Sequence, residues 1–482
     1  MLLYSWDMRP RLKFVLLLAP FLLAASSPAP RVTYIPFTAA KPVIDTFKDS
    51  LPDALKGKTD AAISALWPQW VQQQDESIRA RLDKGDEDSL VNLLLYGTSF
   101  TRQPRITDEL LNDAENERQQ MGDASPKMKA LPVIFRSRVE DLITALTAPG
   151  NNERLQYMRH MLQARGYDLS TPDGKNAVAK LLVTDLQRMR EEFTTYHKQM
   201  EAARQLDPEA QFQARSQLFH NRGLALDTSL SPDYALEQTL KDLVSHKVLA
   251  PGSVQRVAII GPGLDFVDKR EGYDFYPQQT IQPFAVMDSL LRLHLSKPAT
   301  LRMTALDISS RVLTHIREAR ARAQRGMPYT LQLPLNTKIP WKEGTAAYWR
   351  EFGNQIGKSV PPVRVPPEAG SGVKVRAVRL PASVVLKLAP VGMNAVWQRE
   401  QLSGGERYDL IIATNVLVYY DQFEQALAES NIQEMLRPGG VFLCNDALPD
   451  VAVLSIHPAG ETNIVYSDRP NDGDKIVWYI RK

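Results

Sequence analysis

The polar residues Thr414, Asn415 and Tyr419 follow a run of apolar residues near the carboxyl end of the chain. That run, within YDLIIATNVLVYYD from Tyr408 to Asp421, is typical of a buried strand that ends in an outward turn. A helical segment and a second buried strand, in LRPGGVFLCND, come next. Parallel α/β sheets bind ligands at the carboxyl ends of their strands, so these hydroxyl and amide groups could hold a cofactor or a substrate. The pattern therefore predicts a cofactor-binding enzyme domain.

The elements that must position these groups begin near Val254. Short β-branched runs alternate there with helical segments: VQRVAIIGPG, LRMTALDIS, GVKVRAVRLP, YDLIIATN and GGVFLCND. Strands that alternate with helices predict a parallel sheet with right-handed crossovers. The last two strands, NIVYSD and KIVWYIRK, are separated by the short polar turn RPNDG, which predicts an antiparallel hairpin. We therefore predict an α/β fold over residues 218–482, a Rossmann-like sheet of seven strands with a terminal antiparallel hairpin.

The segment YDLIIATNVLVYYD, followed by LRPGG, resembles class I S-adenosylmethionine-dependent methyltransferases. Its motif is most similar to the branch that methylates glutamates of chemotaxis receptors. The resemblance covers the architecture of about Leu236 to Lys482, but only short segments at motif level. It implies S-adenosylmethionine as the cofactor and methyl transfer to a small molecule or a protein side chain, by direct displacement at the sulfonium methyl.

The resemblance also implies a cofactor site at the tips of the first two strands. Gly261 and Gly263, which flank Pro262 in the predicted cofactor-binding turn, would let the backbone approach the methionyl part of the cofactor, because a Cβ atom at either glycine would hold the chain away. Asp307, followed by Ile308, would accept hydrogen bonds from both ribose hydroxyls.

The fourth strand supplies the groups expected beside the reacting atoms. Thr414 and Asn415 would face the sulfonium and the acceptor, while Tyr419 and Tyr420 would orient the acceptor. Asn415 and Tyr419 are thus the predicted catalytic residues. One of the two tyrosines is expected to pack in the core instead.

The glycine turn departs from the family pattern. Ile259 stands where the family usually has an acid, and Asp265 replaces a third glycine. We expect Asp265 to approach the amino group of the methionyl tail. After the predicted third strand, Arg379, Leu380 and Pro381 stand where an acid often contacts the adenine, which leaves the adenine contact unassigned.

Two insertions interrupt the predicted sheet. The first, residues 264–284, is rich in aromatic and charged residues at the functional edge; it is either a lid or acceptor wall, or a solvated surface loop. As a wall it would offer Tyr273, Asp274 and Tyr276 to the substrate. The second, residues 327–372, is rich in proline and glycine and is predicted to be an excursion with extended pieces.

The amino-terminal half carries no recognisable chemistry. Basic residues, an apolar stretch and small residues predict a signal peptide at 1–27, and hence export to the periplasm or the extracellular space; if that leader is misread, the protein is cytoplasmic. Residues 41–217 have helical periodicity and predict an all-α domain, with a turn at Gly85–Leu90 that leads into a capped helix.

Composition excludes several function classes. The chain has 58 basic and 55 acidic residues, a formal charge of +3, so nothing favours a nucleic-acid partner. Its seven histidines lack metal-ligand spacing, and its single cysteine, Cys444, cannot form an intrachain disulfide. After removal of the leader no membrane span is predicted. Export would conflict with this cofactor, since S-adenosylmethionine is made and kept in the cytoplasm. The main alternative is therefore a non-catalytic binding protein of the cell envelope on a degenerate methyltransferase fold, and a further one is a different nucleotide- or nucleoside-binding enzyme.

Overall fold

The computed structural model describes residues 32–203, 223–224, 231–266, 274–335, 340–367, 374–445, 447–469 and 472–482. The predicted signal peptide lies outside these residues and stays a prediction. No helix within the described ranges is both long and apolar enough to cross a membrane.

Strands and helices are numbered here in chain order. The strands are β1 (Val32–Tyr34), β2 (Arg256–Ile260), β3 (Arg302–Asp307), β4 (Tyr329–Pro334), β5 (Lys358–Val360), β6 (Val375–Leu380), β7 (Leu388–Gly392), β8 (Gln398–Glu400), β9 (Tyr408–Ala413), β10 (Leu436–Cys444), β11 (Ile456–Val465) and β12 (Gly473–Arg481). The α-helices are α1 (Phe37–Thr46), α2 (Asp60–Tyr96), α3 (Asp108–Met121), α4 (Pro126–Thr147), α5 (Glu153–Ala164), α6 (Pro172–Ala203), α7 (Ser231–Ser245), α8 (Gln282–Arg292), α9 (Ser310–Gln324), α10 (Glu343–Glu351), α11 (Ala382–Val385) and α12 (Gln422–Met435).

The central sheet has seven strands in the order β11-β12-β10-β9-β2-β3-β7. Strands β7, β3, β2, β9 and β10 run parallel, and β12 runs antiparallel to both of its neighbours, β10 and β11. All six residues of β9 are buried, as expected for a strand with both faces covered. The predicted seven-stranded sheet and its terminal hairpin are confirmed.

The third parallel strand is not the predicted one. GVKVRAVRLP forms β6, which belongs to a separate three-stranded antiparallel sheet of order β4-β6-β5. The third parallel strand is β7, LAPVG, at the edge of the large sheet. An edge strand tolerates Pro390 because one side of its backbone has no partner strand to bond. Strands β4 and β5 are the extended pieces predicted in the second insertion.

Both faces of the large sheet are covered by helices. Buried side chains of α7, α8 and α9 pack on one face, including Leu240, Phe284 and Ile316. The other face is covered by α1, the first half of α2 and α12, with Trp67 and Phe423 among the buried residues.

Helix α2 joins two hydrophobic cores. Its first half packs against the sheet, and its last turns, including Leu90 and Leu94, pack with α4, α5 and α6. The prediction of a turn at Gly85–Leu90 is wrong, because α2 continues unbroken through these residues. Part of the predicted helical domain thus belongs to the same core as the sheet.

Candidate functional site

A cavity of about 170 Å³ opens at the carboxyl ends of β2, β3, β7 and β9. It is lined by eight residues predicted for the site, namely Gly261, Gly263, Asp307, Ile308, Thr414, Asn415, Tyr419 and Tyr420. The structure therefore gathers three strand tips around one hollow, as the sequence analysis expected.

The glycine turn after β2 requires its glycines. Gly261 and Gly263 both have φ near +65°, a left-handed conformation that side chains disfavour. The Gly261 amide donates to the Leu306 carbonyl at 2.8 Å, which ties the turn to the end of β3. A Cβ atom on Gly261 would lie 2.5 Å from Cγ2 of Val416, so the turn also touches the loop after β9.

Asp307 ends β3 and is buried, with 6% of its surface exposed. Its Oδ1 accepts a hydrogen bond from the Ser309 amide at 2.7 Å. Burial raises the pKa of Asp307 to about 7, and the amides of Ser309, Gly263 and Ile308 and the charge of Arg79 offset that rise only in part. The carboxyl group is therefore poised to change charge near neutral pH.

The tip of β9 presents a hydroxyl and an amide. Nε2 of Gln282 donates to Oγ1 of Thr414 at 2.8 Å. Because an amide nitrogen only donates, Thr414 accepts this bond and keeps its own proton for another acceptor. Asn415 has a φ of +58°, an uncommon backbone state for a residue other than glycine, and its amide donates to Oδ1 of Asn445 at 2.9 Å.

The two tyrosines after β9 differ in environment. The hydroxyl of Tyr420 is buried and donates to Oδ1 of Asn394 at 3.4 Å, and burial raises the pKa of this phenol. Tyr419 is only partly buried, and the Arg81 guanidinium lies 5.9 Å from the centre of its ring. Tyr420 is thus the tyrosine that packs in the core.

The loop after β7 supplies a wall that the sequence analysis missed. Met393, Asn394, Ala395 and Val396 line the cavity there. Arg379, Leu380 and Pro381 do not occupy this position, because they lie at the end of β6 rather than after the third parallel strand. The error follows directly from the misassigned strand.

Helix α2 closes the cavity from outside the sheet. Leu82 of α2 lines the cavity, and so do Leu224 and Pro232. Arg81 donates to the Tyr419 carbonyl at 3.2 Å. Amphipathic periodicity gave no sign of this role, because the residues of a packing helix and of a cavity wall follow the same spacing.

Four other predicted residues, Pro262, Asp265, Asp274 and Tyr276, lie away from this cavity. Pro262 and Asp265 are not among its lining residues; Asp265 accepts hydrogen bonds from the Tyr276 hydroxyl at 2.6 Å and from Nε2 of Gln279 at 2.8 Å. Tyr276 also lines a second cavity of about 860 Å³, together with Asp274. Neither Asp265 nor Tyr276 therefore lines the cavity beside the glycine turn.

Asp274 is held by the loop after α2. It accepts hydrogen bonds from the backbone amides of Thr98 and Ser99 at 3.0 and 3.1 Å, and from their hydroxyls at 2.8 and 2.7 Å. These four donors give the carboxylate a structural role. Tyr273 lies outside the described residues, so its predicted contact with substrate stays a prediction.

The described ranges contain no group of three or more histidine, cysteine, aspartate or glutamate side chains placed to hold an ion. Cys444 is buried within β10, where burial raises the pKa of its thiol well above the ordinary value.

No protein-family model and no curated protein matches the sequence. Several solved structures are similar. The N-methyltransferase NodS from Bradyrhizobium japonicum is 14% identical over 53% of this chain and 99% of its own, with a TM-score of 0.26. Magnesium protoporphyrin IX methyltransferase from Synechocystis, solved with bound S-adenosylmethionine, is 13% identical over 52% of this chain and 79% of its own, with a TM-score of 0.24.

A TehB-like methyltransferase from Corynebacterium glutamicum is 9% identical over 52% of this chain and 98% of its own, with a TM-score of 0.22. At TM-scores this far below 0.5, these similarities carry no argument about this chain. The class I methyltransferase-like fold of this chain is shown by the strand order and directions of its own sheet. The finer resemblance to the chemotaxis-receptor branch is not confirmed.

Proposed function

We propose that this protein binds S-adenosylmethionine and transfers its methyl group to a small molecule or a protein side chain. The observation that carries the proposal is the meeting of Gly261, Gly263 and Asp307 with Thr414 and Asn415 around one cavity. These groups come from three separate strand tips, so only the folded sheet brings them together.

The residues present fit this cofactor. An ionised carboxylate has about four acceptor positions; the amides of Ser309, Gly263 and Ile308 occupy up to three of them, which leaves at least one for a ribose hydroxyl. Met393, Ala395 and Val396 provide apolar surface beside Asp307 that suits a purine ring. The glycine turn lets a ligand lie against the backbone.

The chain's own residues would align and enclose the reactants. S-adenosylmethionine, when bound, supplies an electrophilic methyl group. Thr414 can donate its hydroxyl proton to a ligand, and Asn415 and Tyr419 lie beside it to orient the acceptor. Leu82 and Leu224 line the same cavity and would exclude water from it. The enclosed cavity would also hold the methyl donor and the acceptor in the orientation that methyl transfer needs.

Calorimetric titration of the purified protein with S-adenosylmethionine tests the proposal. We expect saturable binding, and a loss of affinity of about tenfold or more in Asp307→Ala, because hydrogen bonds to a charged acceptor are removed. Asp53→Ala, at an exposed position before α2, is the matched control and should bind like the native protein. Absence of binding to the native protein, or equal binding by Asp307→Ala, would contradict the proposal.

A further inference from the structure

We propose that Arg79 of helix α2 is a positioning residue for the cofactor site, which holds the Asp307–Ile308 loop in place and acts on the Asp307 carboxylate through its charge. This inference rests on the proposed function, since it assigns a residue of the amino-terminal half to the same site. It makes α2 a working part of that site as well as a packing helix.

The guanidinium of Arg79 ties together two loops that line the cavity. Nη1 donates to the Ile308 carbonyl, directly after Asp307, at 3.1 Å. Nη2 donates a hydrogen bond to Oε1 of Gln398 at 3.4 Å, and the same oxygen accepts a hydrogen bond from the backbone amide of Asn394 at 2.9 Å. One side chain thus links the loop after β3 to the loop after β7.

Asp75, one turn earlier on α2, fixes the direction of this guanidinium. Its Oδ2 accepts hydrogen bonds from Nε of Arg79 at 3.1 Å and from the Tyr34 hydroxyl at 3.1 Å. Its Oδ1 accepts Nδ2 of Asn394 at 2.9 Å. Asp75 is buried. The planar guanidinium of Arg79 bonds both Asp75 and Ile308 in fixed directions, which the ammonium group of a lysine could not do.

The positive charge of Arg79 stabilises the ionised form of Asp307. Burial raises the pKa of Asp307, and the amides of Ser309, Gly263 and Ile308 together with the charge of Arg79 oppose this rise. Loss of the Arg79 charge should raise the pKa of Asp307 further. Less of the carboxylate would then be ionised at neutral pH to accept the ribose hydroxyls.

Two substitutions separate position from charge. Arg79→Gln removes both the charge and the fork, whereas Arg79→Lys keeps the charge and loses the fork. Arg118→Gln is the control, because Arg118 forms an exposed pair with Glu115 on α3, which contributes no residue to the cavity. S-adenosylmethionine would be titrated into each variant between about pH 5.5 and 9, the range around the Asp307 transition.

We expect the affinity of the native protein to rise with pH through a midpoint near that transition. Arg79→Gln should bind several-fold more weakly and move the midpoint upward by about half a pH unit. Arg79→Lys should bind more weakly with an unshifted midpoint, and the control should match the native protein. An unshifted midpoint in Arg79→Gln, or native affinity in Arg79→Lys, would overturn the inference.

A cofactor-free measurement separates this inference from the proposed function. The free energy of unfolding is measured against pH for two pairs of proteins: Asp307→Asn and the native protein, and the double variant Arg79→Gln/Asp307→Asn and Arg79→Gln. Within each pair, the difference in this free energy is followed as the pH changes. The pH at which that difference changes should be higher in the Arg79→Gln background. If the native protein binds no S-adenosylmethionine, the proposed function fails, yet an upward shift here still supports the Arg79–Asp307 coupling; equal transitions would refute the coupling.

Discussion

The side chain of Asp307 should make the stability of the protein depend on pH. Its pKa is raised from 3.8 to about 7, so the folded protein retains a proton that the unfolded chain releases. Stability from this group is therefore present below about pH 4 and is lost as pH rises to about 7. The amide of Asp307→Asn does not titrate, so this variant does not lose stability in the same way. Its free energy of unfolding relative to that of the native protein should therefore increase between about pH 4 and 7, by on the order of 1–3 kcal/mol.

Urea unfolding at several pH values measures this difference directly. Asp53→Asn, at an exposed position, provides the baseline for replacing a carboxylate with an amide. A stability difference between Asp307→Asn and the native protein that stays constant with pH would show that Asp307 titrates normally.

The left-handed backbone of Asn415 gives a second prediction at this scale. Asn tolerates a φ of +58° better than alanine does, and glycine adopts it freely. Asn415→Ala should therefore lower the free energy of unfolding by about 1 kcal/mol, while Asn415→Gly should leave it nearly unchanged. Thermal unfolding of the two variants is the measurement, and equal losses would mean that the side chain, not the backbone, stabilises the tip of β9.

The sequence predicted the site residues that lie next to their own strand ends. Gly261, Asp307 and Asn415 each follow a buried run, so local pattern was enough to place them. Gln282 and Arg79 reach the site from other elements, through contacts with Thr414 and Ile308. Such contacts depend on how distant segments pack, which no local spacing encodes.

At the scale of elements, the close crossing of α2 and the segment at Leu224 requires Gly85. A Cβ atom on Gly85 would lie 1.9 Å from the Leu224 carbonyl oxygen. In an open helix interior, alanine in place of glycine stabilises by about 1 kcal/mol. At this position we expect Gly85→Ala to destabilise instead, because the added atom would clash with the backbone of Leu224, a residue that lines the cavity.

Thermal unfolding of Gly85→Ala tests this crossing, with Gly405→Ala as the control because nothing lies within 4 Å of the added atom there. A gain in stability for Gly85→Ala would show that the Leu224 segment does not press on α2. Weaker cofactor binding by Gly85→Ala would connect the crossing to the cavity wall.

The strands show where local pattern succeeds and where it misleads. β2 and β9 contain the continuous apolar runs VAII and LIIA, so their sequence indicated burial on both faces. β7 contains Pro390 and Gly392 and lacks such a run, whereas VRAVRL of β6 has the β-branched character of a strand. Both segments are strands, and only tertiary pairing decides which one joins the large sheet.

At the scale of the whole molecule, the predicted boundary at residues 217 and 218 does not separate two cores. Ile35, Trp67 and Trp70 are buried in the same cluster as Ile411 and Phe442 of the sheet. Trp70 makes an edge contact with Trp397, with ring centres 5.4 Å apart. Strand β1 also pairs with β8, which adds backbone hydrogen bonds between the two halves of the chain.

A chain shortened to residues 218–482 should therefore not form a stable, soluble domain. Without α1 and α2, the face of the sheet around Ile411 and Phe442 would be exposed, along with the aromatic surface of Trp397 and Phe423. Exposed patches of this kind favour aggregation. We expect the shortened chain to aggregate or to bind a hydrophobic dye strongly, while residues 28–482 unfold cooperatively without such binding. A soluble 218–482 chain with a sharp thermal transition would contradict the shared core and support the boundary predicted from the sequence.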